Sequence, residues 1–154
     1  MDAFIDAVIQ VVAGTLGTLG FGVMFNIRGK KLLFGSLGGL ISWALYIIFS
    51  LFIPSEILVY LLVSVSTSIY SEIMAVVLKT PTTTFLIISL IPLIPGGSLY
   101  YALSHAFSGD LESFLTRALY TFQLASALSI GIILVLSLNR SLKKYRRAKK
   151  ERQN

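Results

Sequence analysis

Apolar residues fill five long runs in this chain, at 6–25, 32–53, 57–78, 84–104 and 117–138. Each run is about 20 residues, enough at about 1.5 Å per residue to cross a hydrocarbon layer about 30 Å thick. None shows the two-residue alternation of a barrel strand. The segments between them are short: "NIRGKK", "PSE", "KTPTT" and the longer "HAFSGDLESFLT". The pattern predicts an all-α integral membrane protein with five transmembrane helices, forming one domain over 1–139 with a basic cytoplasmic tail over 140–154.

Two runs depart from uniform apolarity. In the third, "ILVYLLVSVSTSIYSEIMAVVLK", Ser64, Thr67, Ser68, Ser71, Glu72 and Ala75 recur at helical spacing. At about 100° per residue they share a face about 140° wide, which should turn toward protein or water and not toward lipid. Glu72 lies about 9 Å from the end of its run, deep for a carboxylate to reach the interface. An ionisable group there must be paired, hydrated or protonated, which suits a proton-responsive role in transport. The plainer reading is a hydrogen-bonded glutamate joining two helices, and the hydroxyls serve equally as small interhelical donors.

The fourth run carries its own helix breakers in "SLIPLIPGGSLYY". Pro92 and Pro95 remove the hydrogen bonds to Ile88 and Ile91, and Gly96 and Gly97 add backbone freedom. Freed carbonyls at membrane depth need protein groups or a wet cavity. The fourth span is therefore predicted to be discontinuous, unwound near 95–97, with Ser98 capping a second half-helix. Such a half-helix start favours an anionic group such as a substrate carboxylate. A proline kink that only aids packing is the alternative.

Composition agrees with a membrane protein: 55% hydrophobic, 13% charged, with a mean hydropathy of +0.82. Charge sets a topology. Arg28, Lys30, Lys31, Lys79 and the eight basic residues between positions 140 and 152 fall on one side, against Arg117 alone on the other. The positive-inside rule then predicts N-terminus outside and C-terminus cytoplasmic. The tail anchors that topology and can attract anionic membrane lipid; it is no nucleic-acid signature. The acidic start "MDAFIDAVIQ" does not read as a cleaved signal peptide. Gly14, Thr18 and Gly22, Gly35 with Gly39, and Ala127 with Gly131 have the spacing of close helix contacts. His105, Asp110 and Glu112 read as solvated surface. With no cysteine, no metal-ligand spacing and no nucleophile–base pair, no catalytic, metal or cofactor site is expected.

"GFGVMFNIRGKKLLFGSLGGLISWALY" and "SEIMAVVLKTPTTTFLIISLIPLIPGG" resemble the bacterial threonine/serine exporter family, in its small five-span form. Asn26, Trp43, Tyr46, Glu72, residues 79–81 and the break at 92–97 carry the likeness, which covers nearly the whole chain. Relatives often carry an arginine where this chain has Val76, and Pro-Gly where it has Ile88 and Ser89; roles of those residues do not transfer. The resemblance implies one half of a two-component exporter in the inner membrane, working with a larger membrane subunit. The substrate would be threonine or serine, carried by proton-coupled secondary transport. A dicarboxylate (succinate) export subunit and a non-conducting assembly or stabilising subunit are the alternatives, and self-association is left open. Candidate pathway residues are Glu72, Ser64, Thr67, Ser68, Ser71, Pro92, Pro95, Gly96, Gly97 and Ser98.

Overall fold

Where the apolar runs are uninterrupted, helices form and continue into their flanks. A computed structural model describes residues 2–151. Its elements are α1 (Asp2–Met24), α2 (Lys30–Phe52), α3 (Glu56–Val77), α4 (Thr82–Leu90), a 3-10 turn (Ile91–Leu93), α5 (Gly96–Phe107) and α6 (Leu111–Glu151). No strand occurs among the described residues. Four helices are long and apolar enough to cross a membrane alone, and α4 with α5 passes the same test as a pair bent by 56°.

The turns are built from specific backbone conformations. Asn26 (φ 57°) and Lys79 (φ 48°) adopt the left-handed region that ends α1 and α3. Asparagine tolerates this region; for lysine it is a mild strain. Asp110 accepts the Ser113 N–H at 3.1 Å and so caps the start of α6. The Ser113 hydroxyl and N–H, with the neighbouring His105 imidazole, hold the Asp110 carboxyl below the usual carboxylate range.

α2 and α3 are central. α1 packs on α2, α4 packs on both α2 and α3, and α6 packs on α3 and carries α5 on its flank. Small residues make these approaches. A Cβ on Gly131 of α6 would lie 1.8 Å from Ser64 Oγ of α3, and one on Gly39 would lie 2.2 Å from Thr18 Oγ1 of α1. Both glycines belong to small-residue pairs visible in the sequence, and only their bareness lets the backbones meet. Val59, Tyr60, Val63, Leu93, Leu124, Ala127 and Leu128 form a buried cluster where α3, α6 and the 3-10 turn converge.

α6 differs from the sequence expectation at both ends. It begins at Leu111 and continues through the basic segment as one helix of 41 residues. At about 1.5 Å per residue it is about 60 Å long, twice the hydrocarbon thickness. Nothing in "NRSLKKYRRAKKE" breaks a helix, because lysine, arginine and alanine are all good formers.

Candidate functional site

Glu72 sits a little over one turn before the end of α3 and reaches two other helices. Thr82, the first residue of α4, donates its hydroxyl to Oε1 at 3.1 Å, and Asn139 of α6 donates its side-chain amide to Oε2. The carboxylate thus ties α3, α4 and α6 together at the end of the bundle that bears Arg28, Lys31 and Lys79. It is partly exposed, on a groove of about 480 Å³ between α3 and α6. Ile69, Ile73, Leu134 and Leu138 wall that groove, so a carboxylate and an amide form the polar floor of an apolar trough.

The hydroxyl stripe is packed inside. Ser64, Thr67, Ser68 and Ser71 are all 0% exposed. Ser64 and Ser71 donate back to the Leu61 and Thr67 carbonyls of their own helix, at 2.8 and 2.9 Å. The hydroxyls of Thr67 and Ser68 are buried without a hydrogen-bond partner in the structure. An unpaired buried hydroxyl costs free energy, so these two are the polar groups of the seam with most to gain from a guest or a rearrangement.

The interruption of the fourth run falls slightly earlier than the glycines. α4 ends at Leu90, the 3-10 turn carries Pro92, and Ile94 with Pro95 form the non-helical link. Gly96 and Gly97 are helical, opening α5, because glycine is permissive there while the prolines forbid continuation. The carbonyls that the prolines orphan are recovered locally: Ile88 O accepts from the Ile91 N–H, and Ile91 O from the Ile94 N–H at 3.2 Å. Tightening to 3-10 geometry replaces the lost bonds without a wet cavity. Ser98 is no cap. Its hydroxyl pairs with Thr121 of α6 at 2.7 Å, while Pro95 occupies the cap position without a side-chain bond.

Pro92 is seated against α1 and α2, where a Cβ on Gly14 would meet Pro92 Cβ at 3.6 Å and Trp43 Cγ at 3.7 Å. Glu72 binds the first residue of α4, and the break lies past its far end, about 15 Å along the axis. The structure therefore places the carboxylate and the broken helix at opposite ends of α4 and does not bring them together.

Sequence reasoning passed over a second carboxylate. Glu56, the first residue of α3, accepts the Tyr46 hydroxyl of α2 at 2.9 Å and the Tyr120 hydroxyl of α6. Tyr46 stacks on Trp43 at 4.9 Å and meets Tyr60 edge-on at 5.6 Å. Glu56 looked like a loop acid because its partners are 10 and 64 residues away. The signal was present only as tyrosines at matching helix ends. Tyr120 beside Glu56 and Asn139 beside Glu72 also show that α6 runs parallel to α3. Among the described residues, no group of three metal-ligating side chains forms.

A bundle of long apolar helices, tied internally by carboxylates and hydroxyls, is a multi-pass membrane protein. The family model described as "Threonine/Serine exporter, ThrE" matches residues 10–138, and the chain belongs to that family. No match was found among curated proteins or solved structures.

Proposed function

We propose that the chain is the small subunit of a two-component exporter that moves threonine or serine outward across the bacterial inner membrane, coupled to protons. In this reading α4 and α5 form one broken crossing, giving five spans with the N-terminus outside and the C-terminus cytoplasmic. The parallel run of α3 and α6 supports this, since α4 starts beside Glu72 and the chain must return before α6 starts beyond Glu56. Two five-span units joined end to end take opposite orientations, the inverted arrangement common in secondary transporters, so a larger homologous subunit is expected with its N-terminus inside.

The observation that carries the reading is Glu72, a carboxylate within a membrane helix, held by α4 and α6 and open to a groove. Protonation removes its charge and weakens both acceptor bonds, which loosens the junction of three helices. The substrate path would run along Ser64, Thr67, Ser68 and Ser71 toward Pro92, Pro95, Gly96, Gly97 and Ser98. Opening it requires α6 to part from α3, because the seam is closed in this state.

Two observations favour a second reading, a stabilising subunit with no path of its own: the hydroxyl stripe is fully buried and the proline carbonyls are satisfied. Reconstitution decides between them. Vesicles holding the chain and its partner are assayed for outward serine and threonine flux under an imposed pH gradient, with Glu72→Gln and Gly96→Leu variants. A Cβ on Gly96 would meet no neighbour within 4 Å, so a side chain there starts into open space. Flux lost in both variants, with the complex intact, supports the path; flux retained in both supports the stabilising subunit. Succinate competing with serine would select the dicarboxylate exporter.

A further inference from the structure

At the end of the bundle where α1 and α3 stop and α2 and α4 start, the two turns enclose a hollow of about 570 Å³. Asn26, Arg28 and Lys31 line one side, and Thr80, Pro81 and Thr84 the other. Two cations therefore share one concavity, and no acid is among its lining residues. The Arg28 guanidinium is oriented by its Nε–H, which donates to Asn26 Oδ1 at 2.9 Å. That leaves the outer N–H groups of the fork for a ligand. Lys30 and Lys79 stand beside the hollow in sequence and add positive charge. Glu72, the nearest acid along the chain, lies on the α3–α6 groove instead.

The flanks are as informative as the floor. Phe25, Val77 and Ile87 lie within one turn of lining residues and are 54%, 62% and 54% exposed. The hollow sits at the level where four membrane helices end, which is the level of lipid phosphates in either leaflet. A free inorganic anion has no use for the apolar rim, whereas a phospholipid matches both parts. We propose that this hollow binds the phosphate of an anionic phospholipid, held by Arg28 and Lys31, with acyl chains running down past Phe25, Val77 and Ile87. The starts of α2 and α4 reinforce the site through their partial positive charge.

The test uses the full chain in detergent. Native mass spectrometry with phosphatidylglycerol titrated against phosphatidylcholine should show one anionic lipid retained per chain. Arg28→Gln with Lys31→Gln should weaken that retention roughly tenfold to thirtyfold, from about 1 kcal/mol per cation near the surface. Lys149→Gln with Lys150→Gln removes equal charge from the tail and should leave it unchanged. Equal loss in the two double variants would overturn the site and leave only diffuse attraction. Displacement of the lipid by millimolar inorganic phosphate would overturn the lipid assignment. A photoactivatable phosphatidylglycerol on the unaltered chain should cross-link at residues 25–33 and 77–87. Cross-links confined to other segments would refute the proposal whatever the variants do.

Discussion

Glu56 and Glu72 stand at the two ends of α3 and are held in parallel ways, each by a donor from α6 and a donor from one further helix. Their surroundings differ. Glu56 takes two phenols in an aromatic cluster with Trp43 and Tyr60. Glu72 takes a threonine hydroxyl and an asparagine amide on the floor of an open trough. Tyr46, stacked on Trp43 and edge-on to Tyr60, makes a rigid clasp, because its two χ angles are locked by packing. A hydroxyl and an amide on an open face are easier to exchange for water or a partner's group. On the proposed function, the Glu56 end fastens the bundle and the Glu72 end switches.

The contrast can be broken at its foundation first. Gly131→Leu should abolish folded protein, because even its Cβ would lie 1.8 Å from Ser64 Oγ and 3.0 Å from the Leu61 carbonyl. The monodisperse fraction after extraction reads this out, and a well-behaved variant would mean that the α3–α6 seam is not as tight as described. Next in size, Glu72→Gln should lower serine flux at least about tenfold, the scale of about 1.4 kcal/mol, with little loss of assembled protein. Glu56→Gln should do the reverse: flux per folded molecule falls less than about threefold while stability falls by about 1–3 kcal/mol, the scale of hydrogen bonds to a charged acceptor. Equal flux losses would erase the distinction between the two ends.

Smaller effects sharpen the picture. Tyr120→Phe and Tyr46→Phe should each cost about 0.5–1.5 kcal/mol in a detergent unfolding titration, and their coupling in a double-mutant cycle should vanish in a Glu56→Gln background. Thr82→Val is expected at the low end, about 0.6 kcal/mol, because Asn139 still holds the carboxylate. A larger cost for Thr82→Val than for Tyr120→Phe would invert the assignment of the rigid end.

Much of this architecture was legible along the chain. The hydrophobic runs marked α1, α2 and α3 to within a few residues, since backbone groups in hydrocarbon must be satisfied within the helix itself. The prolines marked the interruption after α4. Misplacing it on the glycines treated freedom as a cause, when missing N–H groups at Pro92 and Pro95 end the helix. The small-residue pairs foretold the Gly131 and Gly39 contacts. Glu72 stood out because a lone carboxylate in an apolar run is expensive.

What the sequence by itself determined is local: where helices run, which faces are polar, where an N–H is missing, which end is positive. Each follows from groups within a turn or two of one another. Only the tertiary structure decided the pairings across the bundle. It put Asn139 on Glu72, Tyr120 on Glu56, Thr121 on Ser98, and Arg28 across a hollow from Thr84. Those contacts join residues far apart in the chain, and helix spacing says which way a side chain faces but not which neighbour stands there.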